Sequence, residues 1–425
     1  MNTLGLRERP LIAFFDYPDV FEDFYPHYGV DQYTFATRWA DTGSHAFVSL
    51  LQHEVGDVIW YEFSLRPEIS EARHKVGYRV KFLPSSWLHR CLWRAFYLPR
   101  AAWRWRSAYR PYATVASYAA PASLPFLRTL WQDRPDFFFV QRYCSGRFDL
   151  LLMLAHALGV PLIAWHAGGR PEEYLGSWIR QWTLPRAERF IASGWDECKM
   201  LASRYRVPSE RLMVILTPID TTAFQPIARL VACQVAGLDA ARRYLLFVGR
   251  LDDSVKRVSA LIQAFAPLAS EYQDTDLLIV GEGNDGPKLR RLAAELTPGR
   301  VRFQGWVSGA EALAPLYNAA ECLVLPSWSE GFPTVVGEAM ACGTPILASH
   351  VGGIDELVVE GQTGWLIPPG DDRALAAGLA FVLTHPHAVA CMRPQARAIA
   401  EARVSPPIVA AALRQCFSIG DRLHG

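Results

Sequence analysis

The sequence predicts an α/β protein built of two doubly wound, Rossmann-like domains that face a central cleft. Three observations predict it. At 425 residues the chain exceeds what one hydrophobic core organises, so two domains of roughly 150–220 residues are expected. Short apolar runs alternate with helix-period segments along its whole length, the pattern of parallel strands crossed over by helices. The alternation breaks once, over Thr217–Arg243, where Pro218 and Pro226 interrupt it, and a hinge is expected there.

In the first half, strands are expected at Leu11–Phe15, Ala46–Leu51, Val58–Phe63, Phe137–Gln141, Pro161–Trp165, Arg189–Ala192 and Met213–Leu216. Between two of them, Asp149–Leu158 reads as a helix that stops at Gly159, two residues before Pro161. A second series follows at Tyr244–Val248, Leu277–Val280, Val301–Gln304, Cys322–Leu325, Pro345–Ala348 and Gly364–Leu366. The expected boundaries are a first domain over 1–220, a hinge over 221–243, a second domain over 244–395 and a helical segment over 396–425. Its last helix, near Pro407–Phe417, is expected to return to the first domain.

Hydrophobic residues make up 51% and charged residues 20%, a globular rather than a disordered composition. The net charge of +1 gives no global argument for nucleic acid as a partner. Eight cysteines are scattered singly, without a Cys-x-x-Cys pair, so reduced, mostly buried thiols and a cytoplasmic compartment are expected. The first apolar run, Leu11–Phe15, is too brief for a signal-peptide core, and no segment reaches about 18 uncharged apolar residues. A soluble or peripheral protein is the expectation.

Two constellations carry chemistry. Gly249, Arg250 and Lys256 follow the first strand of the second series, where ligands of open parallel sheets bind, and two cations there could neutralise a diphosphate. Ordinary solvated loop charges are the plainer reading. Further on stands Glu330-Gly-Phe-Pro-Thr-Val-Val-Gly-Glu338. Pro333 suits the first turn of a helix running through Met340 to Gly343. The backbone N–H groups of Thr334, Val335 and Val336 would then point at an anion, and Glu330 and Glu338 could accept hydrogen bonds from sugar hydroxyls. Acids placed for the helix dipole explain one glutamate better than two.

Gly249-Arg250-Leu251 with Lys256, Val280-Gly-Glu-Gly283, Glu330 and Glu338, Ala339-Met-Ala-Cys-Gly-Thr-Pro345 and Val351-Gly-Gly353 come in one order and spacing. Together they resemble the retaining glycosyltransferases of family four, which share the GT-B fold. The likeness is strong over 244–370 and weaker from Pro135 to Pro226. It implies a retaining hexosyltransferase that moves a sugar from a nucleotide-diphosphate sugar to a glycan or lipid-linked acceptor, in surface polysaccharide or glycolipid synthesis, with no cofactor or metal. The first domain would bind acceptor and the second donor. The resemblance implies that Arg250 and Lys256 hold the diphosphate, that Glu330 contacts the transferred sugar and that Glu338 binds the ribose. It places the base near Gly305, Trp306 and Val307, and assigns His166 to the donor sugar or the reacting centre; a strand-end histidine satisfied by backbone is the alternative. Catalytic roles thus fall on Glu330, His166, Arg250 and Lys256. Where the family carries a Gly-Gly loop after the first strand, this chain has Asp16-Tyr-Pro-Asp and then Gly29, which is the candidate contact from the first domain. A non-catalytic glycan- or nucleotide-binding relative and a sugar-nucleotide epimerase of the same fold stay open.

Two further patterns point elsewhere. Gly281-Glu-Gly283-Asn-Asp-Gly286 matches a dinucleotide fingerprint, but the acid expected about 20 residues later is missing. Asp274-Thr-Asp276 resembles a metal-binding pair and reads as a turn. Finally, Ala72–Gln132 contains no Asp or Glu, while Arg90, Arg94, Arg100, Arg104, Arg106 and Arg128 interleave with Trp87, Trp93, Trp103, Trp105 and Trp131. Residues 73–131 fit an anionic membrane surface, a site for an anionic saccharide, or a tryptophan cluster packed inside the domain.

Overall fold

The computed structural model describes residues 8–40, 43–96, 115–166 and 177–418. The chain divides into two compact units, one of 1–167, 171–215 and 410–425, the other of 168–170 and 216–409.

The first unit is built on eight strands: β1 (Leu11–Phe15), β2 (Asp57–Ser64), β3 (Glu71–Arg73), β4 (Arg79–Pro84), β5 (Phe137–Gln141), β6 (Leu162–Trp165), β7 (Arg189–Ala192) and β8 (Leu212–Val214). They lie in the order β3-β4-β2-β1-β5-β6-β7-β8, and only β3 runs antiparallel to its neighbour. Central strands such as Leu11–Phe15 and Phe137–Gln141 are apolar almost throughout because helices cover both faces. Phe15 stacks on Tyr61 and meets Phe126 edge-on, at the centre of the unit's core.

The second unit is a six-stranded parallel sheet: β9 (Arg243–Val248), β10 (Thr275–Val280), β11 (Val301–Gly305), β12 (Cys322–Leu325), β13 (Ile346–Ser349) and β14 (Gly364–Ile367). Its order is β11-β10-β9-β12-β13-β14. Strand succession therefore reverses between β9 and β12, and loops leaving these two strands part to opposite sides of the sheet. That divergence opens a crevice at their carboxyl ends, the topological switch point where open α/β sheets bind ligands.

The α/β class holds in both units, with three local corrections. Ala46–Leu51 is not a strand but part of helix Gly43–Glu54, whose Ser44, Phe47, Val48 and Leu51 form one buried helical stripe. A six-residue apolar run does not separate the two periodicities. Inside the basic aromatic stretch, Arg79–Pro84 forms β4, with Val80 and Phe82 buried and Arg79 and Lys81 on the other face. Asp276 lies on β10 rather than in a turn, buried among Arg242, Arg300 and Arg302. Burial acts to raise its pKa, but these arginines outweigh it and lower the carboxyl below its ordinary value. Asp276 is an ion-pair anchor at the strand entry. Helix Gly146–Leu158 begins at Ser145, whose hydroxyl accepts from Phe148 N, and ends on Gly159 at φ +67°. Helix Arg229–Ala236 occupies part of the expected hinge. Helix Pro406–Phe417 carries the chain out of the second unit and into the first. All eight cysteines are free thiols.

Candidate donor site of the second unit

The carboxyl ends of β9, β10 and β11 are laced together by backbone. Gly249 N donates to Val280 O at 3.0 Å, Leu251 N to Glu282 O at 2.9 Å, and Gly281 N to Gly305 O at 2.6 Å. These approaches need glycine. A Cβ on Gly281, at φ +130°, would stand 2.0 Å from Gly249 O, and one on Gly283 2.5 Å from Leu251 O. The glycines of the apparent dinucleotide fingerprint thus seat one loop on another.

After β9 the chain makes a single helical turn, Asp253–Lys256, and leaves it through Arg257 at φ +52°. Asp253 fixes the turn: its backbone N donates to Asp285 Oδ2 at 2.8 Å, and its own Oδ1 accepts from Ser259 N at 2.8 Å. Arg257 is buried, bonded to Pro326 O and paired with Asp372, with its guanidinium 4.8 Å from the Trp328 ring. Trp328 N in turn donates to Val255 O at 2.8 Å. The loops following β9 and β12 are thereby locked together across the switch point.

This lock brings Lys256 onto Glu330. The ammonium lies 2.6 and 2.8 Å from the two carboxylate oxygens, and Ser327 Oγ donates to Oε1 at 2.6 Å. The Glu330 side chain is only 8% exposed. Lys256, expected to hold the diphosphate together with Arg250, shares its charge here with Glu330. Arg250 is exposed, and among the described residues its guanidinium has no hydrogen-bond or ion-pair partner. It is the open cation of the site. Behind Glu330, Gly352 at φ +62° lies against the Glu330 and Gly331 carbonyls, where a Cβ would come within 2.4 and 2.2 Å.

Helix Thr334–Ala341 starts at the same edge. Pro333 is its N-cap rather than its first helical residue, with ψ 111°. Val336 N donates to Pro333 O at 3.0 Å, so it is not available to an anion as expected. The N–H groups of Thr334 and Val335 have no backbone acceptor among the described residues. Glu338, one turn on, accepts from Tyr317 Oη at 2.7 Å. Burial raises the Glu338 carboxyl above its ordinary pKa, against the opposing hydrogen bonds of Tyr317 and Thr334. Gly305 ends β11 at φ +71°, followed by exposed Trp306 and half-buried Val307. The second unit therefore gathers Gly249, Arg250, Lys256, Gly305, Trp306, Val307, Glu330, Thr334, Val335 and Glu338 at one sheet edge. Among the described residues no group of three or more His, Cys, Asp or Glu is placed to hold a metal ion.

His166 and Gly29 belong to the first unit. His166 follows β6 and is buried; its Nδ1 lies 3.0 Å from Glu197 Oε1 and its carbonyl accepts from Ser193 Oγ at 2.9 Å. Glu197 also accepts from Tyr143 Oη at 2.6 Å and from Ser193 N at 2.9 Å. Burial alone would lower the imidazole pKa, but the Cys144 and Glu197 hydrogen bonds and charges push it up to about 9. The Cys144 thiol, which burial would raise, is lowered by His166 and the arginines Arg142 and Arg180. The glycines following His166 lie outside the described residues. Gly29 sits exposed at φ +69° on a short helical turn after β1. Tyr317, Ser327, Tyr143, Cys144 and Glu197 were not singled out from sequence. Only Ser327, three residues before Glu330, left a local signal.

Residues 242–385 match the family model for group 1 glycosyl transferases, and residues 49–223 the model for Glycosyltransferase Family 4. The D-inositol 3-phosphate glycosyltransferase of Nocardiopsis dassonvillei is 31% identical over 299 residues, covering 64% of this chain and 68% of the relative. The chain belongs to glycosyltransferase family 4. Another relative of that name, from Pseudarthrobacter chlorophenolicus, is 32% identical over 254 residues, covering 53% of this chain and 60% of its own length. The family-4 chain thus spans less than two thirds of that relative. Among solved structures, sucrose-phosphate synthase from Thermosynechococcus elongatus matches with TM-score 0.73 at 22% identity, over 98% of this chain and 100% of that one. HepE from Anabaena, solved with UDP, matches with TM-score 0.68 at 16% identity, over 96% and 99%. These likenesses show the GT-B fold for this family-4 chain.

Proposed function

We propose that the chain is a retaining hexosyltransferase that moves a sugar from a nucleotide-diphosphate sugar to a glycan or lipid-linked acceptor in surface polysaccharide or glycolipid synthesis. The observation that carries this reading is the juxtaposition, across the switch point, of an open arginine, Arg250, with the Lys256–Glu330 pair. A diphosphate placed there meets Arg250, shares Lys256 with Glu330, and faces the Thr334 and Val335 N–H groups at the start of a helix, so its leaving charge is met without a metal. Glu338 accepts from the ribose, and Glu330 from the transferred sugar. In the transfer the acceptor oxygen bonds to the anomeric carbon, the bond from that carbon to the diphosphate oxygen breaks, and the acceptor's proton passes to the departing phosphate. His166 is the first unit's candidate for the transferred sugar. HepE was solved with UDP and with UDP-glucose, which makes uridine donors the first to try.

A cytoplasmic enzyme peripheral on an anionic membrane fits the first unit. Trp87 is 72% exposed on helix Trp87–Phe96, which also carries Arg90 and Arg94, and Leu124 and Trp131 are 70% and 67% exposed on helix Leu124–Asp133, which carries Arg128 and ends on Arg134. Indoles and arginines of this kind favour the lipid interface. Arg100, Arg104, Arg106, Trp103 and Trp105 lie outside the described residues. No single helix among the described residues is long and apolar enough to cross a membrane.

The test is a thermal-shift titration of wild type and Arg250→Ala with UDP, GDP, ADP and CMP, since a ligand that binds only the folded state raises its stability. Arg250 has no internal partner, so its removal leaves no buried charge behind. Stabilisation by one nucleotide that is lost in the variant is expected; no shift with any nucleotide overturns the donor assignment.

A further inference from the structure

Three neighbouring strands of the first unit, β5, β6 and β7, deliver one side chain each to a single spot beyond their carboxyl ends. Cys144 lies three residues past β5, His166 is the first residue past β6, and Glu197 stands in the first turn of helix Trp195–Tyr205, which follows β7. Arg142 N donates to Trp165 O at 2.7 Å and Ser145 Oγ to Arg142 O at 3.1 Å, so the turn over 142–145 is tied down on the end of β6. The His166 ring is held from three directions: Glu197 Oε1 lies 3.0 Å from Nδ1, the Tyr143 ring packs on it with centroids 5.0 Å apart, and the Cys144 thiol is hydrogen-bonded to it. A thiol on an imidazole that is itself oriented by a carboxylate is the arrangement of an activated cysteine.

The surroundings add positive charge that finds few acceptors. Arg180 is 2% exposed, and its Nε and Nη1 have no hydrogen-bond partner among the described residues. Asp149, whose carboxylate feels Arg180, is already engaged by Tyr118 Oη and Thr183 Oγ1, each at 2.6 Å. A buried guanidinium short of acceptors is costly, and a thiolate near it lowers that cost. The other enclosed thiols show the difference. Burial prevails at Cys342 and Cys416 and pushes each up to about 12; at Cys144 the same burial is overcome by His166, Arg142 and Arg180. Cysteines reactive towards oxidants occupy electropositive settings of this kind.

We propose that Cys144 is a site of reversible oxidation by hydrogen peroxide. The thiolate sulfur attacks one peroxide oxygen: an S–O bond forms, the O–O bond breaks, the sulfur is oxidised by two electrons and the peroxide is reduced. The hydroxide that leaves takes the His166 imidazolium proton and becomes water. The products are a sulfenic acid and a neutral imidazole, so His166 loses its proton and its anionic partner together. Two equivalents of a small thiol reverse the change: the first forms a mixed disulfide and releases water, and the second displaces Cys144 as the free thiol. Cys144 is 8% exposed, which admits a small oxidant and keeps out a bulky one. The oxidation site stands apart from the glycosyl-transfer reading; only the loss of turnover expected through His166 rests on it.

The experiment exposes the folded chain to graded hydrogen peroxide, destroys the excess with catalase, unfolds the protein in guanidinium with dimedone present, and reads sulfenic-acid adducts by peptide mass spectrometry. Cys144 is expected to be labelled at a peroxide concentration at least tenfold below that needed for Cys342 or Cys416. His166→Gln is expected to raise the Cys144 threshold at least tenfold, and Glu197→Gln, which keeps the shape of the acid, to raise it less; the Tm of each variant checks its fold. Oxidation should lower the wild-type Tm, dithiothreitol should restore it, and Cys144→Ser should show neither change. Turnover, read as donor hydrolysis, should fall and recover in step while UDP affinity is unchanged. Labelling of Cys144 no earlier than Cys342, or a threshold unmoved in both the His166 and Glu197 variants, overturns the proposal. Selective, reversible oxidation in a chain that binds no nucleotide upholds the oxidation site and overturns the glycosyl-transfer reading instead.

Discussion

Glu330 accepts from an ammonium and a hydroxyl while almost wholly enclosed, which makes it costly to leave unpaired. Removing one partner of a buried ion pair typically costs about 3–5 kcal/mol, so Lys256→Ala is expected to lower stability in chemical denaturation as well as donor affinity. Glu330→Gln keeps the shape, and should lower turnover while nucleotide affinity stays within a few-fold; an equal loss of both would contradict the sugar contact. Glu338→Ala should weaken nucleotide binding roughly tenfold, the loss of one hydrogen bond to a charged group, as titration calorimetry would read it. His166 has a built-in pH signature. Its pKa rises on folding from 6.5 to about 9, so the folded state binds the proton more tightly. The resulting stability is full below pH 6.5 and lost as pH rises through about 9. Cys144, whose thiol pKa is lowered on folding, acts in the opposite sense over the same range, so the Tm of the wild type should fall only in part across that window, and Glu197→Gln should flatten the fall further.

Secondary structure at the donor edge is held by backbone more than by side chains, and glycine is what permits it. Gly281→Ala would drive a Cβ onto the Gly249 carbonyl, and should cost about 1–3 kcal/mol, as overpacking of a tight contact does, with a parallel loss of nucleotide affinity. Most strands were legible in sequence because parallel strands buried on both faces read as apolar runs, Tyr244–Val248 and Phe137–Gln141 being plain cases. The same property hid helix Gly43–Glu54, whose apolar centre mimics a strand. β4 was hidden for the opposite reason, since Arg79 and Lys81 on its outer face dominate its composition. The site residues with fixed spacing in the chain, Arg250, Lys256, Glu330 and Glu338, were visible as motifs. Tyr317 and Glu197 were not, because each reaches its partner through space, Tyr317 from a helix that ends three residues before β12 begins and Glu197 from the first turn of the helix after β7.

On the scale of the whole molecule, the proposed membrane contact rests on exposed indoles of the first unit. Trp87→Ala/Trp131→Ala is expected to reduce sedimentation with anionic vesicles while leaving UDP binding intact; unchanged sedimentation would remove the basis for membrane docking. The helix that leaves the second unit has a consequence for how the chain is made. Phe417 meets the rings of Phe137 and Phe139 at 5.3 and 5.8 Å, and Arg414 pairs with Glu54, so the first unit is finished by residues translated after the whole of the second. A ribosome synthesising this chain releases its amino-terminal half incomplete, with the side of β5 that Phe417 covers still bare. Contacts spanning some hundreds of positions form late and slowly. The first half must therefore wait in a partly folded, aggregation-exposed state until the final helix arrives, and chaperone dependence during synthesis should be greater for it than for the second half, which closes on contiguous sequence.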